Sequence, residues 1–221
     1  MTNPGYWKHY WQGKLAPGHR QDSETYYKNH ATELAILIGE FQTKRVLDLG
    51  CGNGAFYKFL GFDKTDYKGV DFSESMLDAF RSTYPNVNLQ CYDASNYRDE
   101  VKYDLIFSNQ LIQNFDRIML HNHFANAHDM MSPASRFVCA GIPWKRQRLN
   151  MFNREFLPPY HRNIIRGYAA LLKRLIRSDG IGYWYNFKDF QTLADEFGMS
   201  IEFYGSMHYL YRFHAVLHLL D

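Results

Sequence analysis

The hydrophobic positions of the chain follow two different periods. Apolar residues recur at helical spacing from Tyr27 to Phe41, which predicts an amphipathic helix with Asp22 and Ser23 as candidate caps. A short apolar strand, Arg45-Val46-Leu47-Asp48-Leu49, comes next and leads directly into Gly50-Cys51-Gly52-Asn53-Gly54. The strand-like run followed by glycines predicts a strand that ends in a tight turn.

Strands and helices continue to alternate up to residue 140. Further strands are predicted at Lys68–Asp71, Val87–Tyr92, Tyr103–Ser108 and Arg136–Ala140. One intervening helix is predicted to be capped at Ser73 and stopped by Pro85, and another to run from about Asp116 to Met131. This order predicts an α/β fold with a doubly wound, Rossmann-like, mostly parallel sheet.

The pattern changes after Gly141 and Pro143. Residues 144–182 are predicted to form a mostly helical insertion, followed by an amphipathic helix from Phe187 to Phe197 and two β-rich runs, 200–204 and 211–217, that we expect to pair antiparallel. Residues 1–221 are therefore predicted to form a single domain. Its predicted parts are an N-terminal lid (1–30), a core that contains the alternating strands and helices (45–140), a helical insertion (144–182) and a closing helix with a β-hairpin (183–221).

Composition limits the classes of protein that fit. With 221 residues, 46% of them hydrophobic and 17% aromatic, the chain suits one folded domain and not a disordered segment. The sequence shows no signal peptide and no long apolar stretch, so we expect a cytoplasmic protein without a membrane partner. Its cysteines, Cys51, Cys91 and Cys139, are widely spaced and are expected to be reduced and to bind no metal.

Charge is distributed unevenly along the chain. The net charge is +2, but residues 145–177 carry nine basic residues against Glu155, which gives this segment +8 and leaves −6 for the rest. Arginine binds phosphates and carboxylates through two parallel hydrogen bonds, so the segment favours an anionic small molecule. A solvated helix face, a contact in a homo-oligomer and an RNA footprint are the alternatives left open.

The glycine segment is followed by acids at regular places. Asp48 lies in the first strand, Asp71 ends the second and Asp93 follows the third, so all three belong near the carboxyl edge of a parallel sheet. Asp71 lies 21 residues after Gly50, close to the spacing of roughly 20 residues at which a carboxylate binds ribose hydroxyls. An acid at position 48 would repel a pyrophosphate but could hold a positively charged amino or sulfonium group.

Four motifs in this order resemble the class I S-adenosylmethionine-dependent methyltransferases. They are Val46-Leu47-Asp48-Leu49-Gly50-Cys51-Gly52-Asn53-Gly54, Gly69-Val70-Asp71-Phe72-Ser73 with Met76, Asp93-Ala94, and Tyr103-Asp104-Leu105-Ile106-Phe107-Ser108-Asn109. The resemblance covers about 65 residues and implies a seven-stranded sheet in which the last hairpin reverses one strand. It also implies S-adenosyl-L-methionine as the cofactor.

The resemblance further implies a role for each matching residue. Asp48 and the backbone of the loop, including Gly50, Cys51 and Gly52, would face the methionine half of the cofactor, with Cys51 a small filler. Asp71 would hold the ribose. The adenine would be sandwiched by Phe72 and Met76 and read by Asp93 and Ala94, while Asn109 would border the methyl group and Tyr27 would close over the cofactor. Asp104 is expected to be structural.

The sequence departs from the family after the fourth strand. Many small-molecule members carry a histidine pair there, but this chain reads Gln110-Leu111-Ile112-Gln113-Asn114, which puts a base at that place in doubt. His161, next to Tyr160 in the insertion, is the candidate general base. Methyl transfer from S-adenosylmethionine is an in-line displacement at an already activated sulfonium. Alignment and desolvation can therefore suffice without a base.

The flanks are the expected substrate-binding parts. All four tryptophans, Trp7, Trp11, Trp144 and Trp184, lie outside residues 45–140. They either line the acceptor site, together with Tyr160 and Arg166, or attach the flanks to the core. No histidine pattern, including that of His121, His123 and His128, completes a metal site.

These observations predict an S-adenosylmethionine-dependent methyltransferase. The acceptor is expected to be an oxygen or nitrogen of a small, anionic or sugar-like metabolite, for example in the synthesis of a surface glycan or secondary metabolite. Three alternatives remain: an RNA methyltransferase, a nicotinamide-dependent oxidoreductase and a non-catalytic protein that binds the cofactor.

Overall fold

The computed structural model describes residues 23–39, 45–148 and 182–220. Within these ranges the helices are α1 (Ser23–Ile38), α2 (Glu74–Thr83), α3 (Arg117–Met130) and α4 (Phe187–Glu196). The strands are β1 (Arg45–Leu49), β2 (Asp66–Asp71), β3 (Asn88–Cys91), β4 (Tyr103–Asn109), β5 (Met131–Pro143), β6 (Met199–Gly205) and β7 (Arg212–Leu219). Short 3₁₀ helices lie at Phe62–Lys64, Ile112–Asn114 and Lys145–Gln147.

The seven strands form one sheet in the order β3-β2-β1-β4-β5-β7-β6. The pairs from β3 to β5 are parallel, and β7 runs antiparallel to both β5 and β6. The predicted mostly parallel sheet with one reversed strand is therefore confirmed. Because β7 is reversed, its first residues lie at the edge where β1, β2, β4 and β5 end.

Helices cover both faces of the sheet because side chains alternate along each strand. In β4, Leu105 and Phe107 pack on the side of α1, whereas Ile106 packs on the side of α3. The first core contains Leu34 of α1, and the second contains Phe124 of α3. Each fully buried side chain of this size stabilises the fold by roughly 1.5–3 kcal/mol.

The largest difference from the predicted elements is the length of β5. It begins at Met131 instead of Arg136, although residues 132–135 (Ser-Pro-Ala-Ser) have little strand preference, because Met131 pairs with Tyr103 of β4. The Ser135 hydroxyl adds a hydrogen bond of 2.5 Å to the Tyr103 carbonyl. Tertiary pairing thus overrides the weak strand preference of this segment.

The ends of two helices also differ from the prediction. α1 begins at Ser23, so this residue is helical and does not precede the helix, and the helix ends before Gly39, which has a φ of +64°. Ser73 does occupy the N-cap of α2, but its hydroxyl bonds to Ser75 at 3.0 Å and caps no backbone N–H. Asp22 and Phe41, like residues 1–22 of the predicted lid, lie outside the described residues.

The closing part of the chain follows the prediction closely. α4 ends at Glu196, two residues before Gly198, whose φ is +61°, and β6 pairs with β7 over its full length. Of the predicted helical insertion, residues 144–148 are described and contain a short 3₁₀ helix, while 149–181 lie outside the described part of the chain. No helix in the described ranges is long and apolar enough to cross a membrane.

Candidate cofactor and acceptor site

The glycine loop leaves β1 at the carboxyl edge of the sheet. Gly50, Gly52 and Gly54 all have positive φ, at +80°, +55° and +73°. The amides of Gly50 and Cys51 donate to the Val70 carbonyl at 2.7 and 3.1 Å, which ties the loop to the end of β2. Glycine is required here because other residues rarely adopt this backbone conformation.

Asp71 joins the glycine loop to the N-terminus of α2. Its Oδ2 accepts from the Gly52 amide and its Oδ1 accepts from the Ser73 amide, both at 2.9 Å. Burial raises the pKa of Asp71 even though these donors lower it. A carboxylate has about four acceptor positions, so each oxygen retains capacity for a ribose hydroxyl.

Asp48 lies beneath the same loop. It is buried and its Oδ2 accepts from the Tyr67 hydroxyl at 2.9 Å. The pKa of Asp48 is raised to about 7, chiefly by burial; the hydrogen bond from the Tyr67 hydroxyl opposes this rise, and the charge of Asp71 adds to it. Burial also raises the pKa of the Cys51 thiol, so this residue is protonated at neutral pH and fits the predicted role of a filler.

Asp93 caps the turn that follows β3. Its Oδ1 accepts from both the amide and the hydroxyl of Ser95, at 2.9 and 2.8 Å, and its Oδ2 accepts from Asn96 Nδ2 at 2.9 Å. Buried His123 of α3 lies with its Nδ1 3.1 Å from the Ala94 carbonyl. The predicted adenine-reading residues are therefore part of one turn that α3 holds in place.

Phe72 immediately precedes the N-cap of α2, and Met76 lies in the first turn of this helix. Phe72 is partly exposed and Met76 is buried. A Cβ atom on Gly52 would lie 3.3 Å from Met76 Cε, so the missing side chain leaves room above the methionine. The gap and the residual acceptor capacity of Asp71 fit a nucleoside cofactor.

The segment after β4 contains several buried amide groups. The buried side-chain oxygens of Asn109, Gln113 and Asn114 have no hydrogen-bond partner among the described residues. Gln110 has a φ of +53°, which is uncommon for a residue with a side chain, and its amide donates to the Ala140 carbonyl at 2.9 Å. Unsatisfied groups and a strained backbone are frequent at ligand sites, and they fit the predicted place of Asn109 beside the methyl group.

Asp104 is structural, as predicted. Its Oδ2 accepts from the Arg45 amide at 2.9 Å, and its Oδ1 accepts from the Ser132 hydroxyl at 3.3 Å. The residue lies inside β4 and does not precede it. Asp104 thus links the amino-terminal ends of β1 and β5, on the side of the sheet away from the glycine loop.

The described flanking aromatics pack against the core. Trp144 stacks on Phe187 at 4.8 Å between ring centroids, and the Trp184 ring lies 6.1 Å from that of Tyr211. Tyr27 is in the second turn of α1, and its ring lies nearly perpendicular to that of Phe56, with 5.3 Å between the ring centroids. These contacts favour attachment of the flanks for Trp144 and Trp184. The substrate role of Trp144 and the closure by Tyr27 stay predictions.

The remaining predicted site residues lie outside the described part of the chain. They are the candidate base His161 and the substrate-binding candidates Trp7, Trp11, Tyr160 and Arg166.

The histidines of α3 have structural contacts. His121 and His128 lie on one face of α3, and both rings lie near that of Phe197. His121 Nε2 is 2.9 Å from Glu196 Oε1. In residues 23–39, 45–148 and 182–220, no three His, Cys, Asp or Glu side chains gather as metal ligands would.

One polar cluster was not predicted. Glu33 of α1 is buried and contacts His214 of β7 and the turn between β6 and β7. A signal did exist, because Glu33 falls at the same helical face as Leu34 and Leu37, where an acid is out of place. Its partner His214 could not be predicted from the neighbouring sequence, since it lies 181 residues away.

Comparison with known proteins gives the family of the central part of the chain. A family model described as a methyltransferase domain matches residues 46–134, the segment that holds the glycine loop, Asp71, Asp93 and Asn109. The match covers less than half of the chain, and this segment resembles a methyltransferase domain. The methyltransferase domain thus contains the four motifs that carried the resemblance, and S-adenosylmethionine is the cofactor of the class I members.

Two curated relatives of the methyltransferase domain act on small acids or their derivatives by name. The chain is 33% identical over 109 residues, 46% of its length, to malonyl-[acyl-carrier protein] O-methyltransferase 1 of Ilyobacter polytropus. It is 32% identical over 99 residues, 44% of its length, to trans-aconitate 2-methyltransferase of Acidovorax sp. strain JS42. The matches span 41% and 38% of those two relatives.

A solved structure extends the likeness to nearly the whole chain. The crystal structure of magnesium protoporphyrin IX methyltransferase from Synechocystis PCC 6803 with bound SAM has a TM-score of 0.62 and 13% sequence identity. The likeness covers 98% of this chain and 92% of that chain. At this identity it shows the fold, and the predicted class I methyltransferase fold is confirmed.

Proposed function

We propose that the chain is an S-adenosylmethionine-dependent methyltransferase that acts on an oxygen or nitrogen of a small molecule. The observation that carries the proposal is the junction of the glycine loop, β2 and α2 at Asp71. This carboxylate is fixed by two backbone donors at the carboxyl edge of a parallel sheet, where nucleoside ligands bind. The family of residues 46–134 supports the same ligand.

The residues around this junction would each bind a different part of the cofactor. Asp71 would accept from the ribose hydroxyls, Asp93 from the adenine amino group, and Asp48 would face the positively charged half. When bound, S-adenosylmethionine supplies a methyl group already activated by a sulfonium. The protein then has to align the acceptor, exclude water and leave room for the proton that an oxygen or nitrogen acceptor loses.

We infer that the acceptor is anionic. Two relatives carry names that include malonyl-[acyl-carrier protein] and trans-aconitate, of which the latter is a carboxylate. The charge of +8 over residues 145–177 would attract such a molecule. A sugar-like acceptor receives less support, because Trp144 and Trp184 pack on the described core.

Calorimetry followed by an acceptor screen tests this function. We expect S-adenosylmethionine and S-adenosylhomocysteine to bind with micromolar affinity and NADH not to bind. We expect methyl transfer to trans-aconitate or another small polycarboxylate, and none to RNA oligonucleotides over a titration of salt. Binding of NADH alone, or transfer to RNA alone, would contradict the proposal.

Cofactor binding should depend on pH through Asp48. The pKa of Asp48 is raised to about 7, so the group is mostly protonated at pH 6 and mostly ionised at pH 8. If the carboxylate attracts the cationic cofactor, affinity for S-adenosylmethionine should rise about tenfold between these pH values. Calorimetry at pH 6, 7 and 8 measures it, and Asp48→Asn should remove the dependence. Equal pH profiles for the two proteins would exclude a role of this charge.

A further inference from the structure

A buried polar cluster joins α1 to β7 and to the turn between β6 and β7. Glu33 accepts from the Met207 amide at 2.5 Å and from the Ser206 hydroxyl at 3.4 Å. Its Oε1 is also 3.1 Å from His214 Nε2. Burial opposes ionisation, but the hydrogen bonds from His214 and Met207 lower the pKa of Glu33 to about 2. The cluster therefore contains a carboxylate with several donors.

His214 connects this carboxylate to the backbone of β5. Its Nδ1 accepts from the Gly141 amide at 3.1 Å, and both residues are buried. Because a backbone N–H can only donate, Nδ1 carries no proton and Nε2 carries the hydrogen that His214 donates to Glu33. The ring is therefore neutral, and its two nitrogens form a fixed bridge between Glu33 and Gly141.

Gly141 lies at an irregularity of β5 beside the proposed methyl site. Pairing with β7 shifts between Cys139 and Ile142, and Gly141 has a φ of +67°. A Cβ atom there would lie 2.9 Å from Gln110 Cγ and 3.2 Å from Asn109 Oδ1. The bulge thus packs closely against the segment that would border the methyl group, an approach that the missing side chain of Gly141 permits.

We propose that Glu33 and His214 are positioning residues for methyl transfer: His214, oriented by Glu33, accepts from the Gly141 amide, and this hydrogen bond holds the β5 bulge next to Asn109 and Gln110 and so sets the acceptor side of the site. The inference rests on the proposed function. It adds a link from α1, outside residues 46–134, to the place of transfer. Neither residue touches the expected cofactor site at Asp71, so the effect should fall on transfer and not on cofactor affinity.

Two substitutions of similar size separate the two bonds of His214. In His214→Asn, the side-chain oxygen replaces Nδ1 and can accept from the Gly141 amide. In His214→Gln, the amide nitrogen replaces Nε2 and can donate to Glu33, but no acceptor remains near Gly141. We expect His214→Asn to keep kcat within threefold of the wild type and His214→Gln to lower kcat about tenfold. Both should bind S-adenosylhomocysteine within twofold of the wild type.

The hydrogen bond itself can be observed without an acceptor. Ala140-Gly141 is the single Ala-Gly step in the sequence, so ¹³C-carbonyl alanine with ¹⁵N-glycine gives one NMR signal for the Gly141 amide. We expect its hydrogen exchange to be at least tenfold faster in His214→Gln and little changed in His214→Asn. Glu33→Gln, which weakens the same bridge from the other end, should speed the exchange and lower kcat by a smaller factor.

The outcomes separate this proposal from the proposed function. If the wild type binds no S-adenosylhomocysteine and methylates no acceptor in the screen, the proposed function fails, although the exchange result still reports the bond. If the wild type is active but His214→Gln keeps full kcat, or leaves the Gly141 exchange unchanged, the positioning role is overturned. Loss of folding in both His214→Gln and Glu33→Gln would also overturn it, because the bridge would then be only structural.

Discussion

Replacing Asp71 with alanine is expected to raise the dissociation constant for S-adenosylhomocysteine roughly 100-fold or more. The variant loses the acceptor proposed for the ribose, and it also leaves the Gly52 and Ser73 amides without their partner. Hydrogen bonds to a charged group contribute about 1.5–3 kcal/mol each, and 1.4 kcal/mol corresponds to tenfold in affinity. Isothermal titration calorimetry measures the change, with far-ultraviolet circular dichroism to confirm folding.

Asp66→Ala is the matched control for this variant. Asp66 begins the same strand that Asp71 ends, but it is exposed and pairs with Arg45 at 3.3 Å. We expect it to bind S-adenosylhomocysteine like the wild type. Asp71→Asn keeps the size of the side chain and should fall between the two. Affinity close to the wild type in Asp71→Ala would show that the ribose is held elsewhere.

Gly54→Ala is expected to destabilise the protein by about 2–5 kcal/mol. The positive φ of Gly54, +73°, disfavours a side chain by about 1–2 kcal/mol. The new Cβ would also lie only 2.4–2.6 Å from atoms of the buried Phe80 ring. Such overpacking typically costs about 1–3 kcal/mol more, and moving Phe80 would disturb α2 beneath the site.

Gly61→Ala isolates the backbone part of this effect. Gly61 has nearly the same φ, +72°, but a Cβ there would meet nothing within 4 Å. Urea unfolding of both variants should therefore give a smaller loss for Gly61→Ala, about 1–2 kcal/mol. Equal losses would mean that Phe80 moves away easily and that the loop is not closely packed.

Most of the cofactor side of the site could be predicted from the sequence because its signals are local. β1, the glycine loop and the acid at the end of β2 follow one another within 27 residues, from Arg45 to Asp71. In a parallel sheet, strand ends meet at one edge, so position along the chain is enough to bring Asp71 to the loop. In the structure Asp71 does reach the loop, where it accepts from the Gly52 amide, while its role in binding the ribose stays a prediction.

The acceptor side could not be predicted in the same way. The link between Glu33 and His214 depends on β7 lying next to β5. No local pattern of residues determines this strand order. The aromatic side chain of Trp144 suggested a ligand-binding residue, but its position against Phe187 follows from the packing of α4. The early start of β5 depends likewise on a partner strand, through Tyr103.

The place of β7 in the sheet has a consequence for how the protein is made. β7 is the last of the described strands to be synthesised, yet it lies between β5 and β6 and not at an edge. Until residues 212–219 leave the ribosome, β5 has an open edge that can pair with other chains, and β6 has no strand to join. Because His214 is in this strand, the proposed link from Glu33 to Gly141 can form only after β7 has been synthesised, whereas the glycine loop and Asp71 can come together earlier.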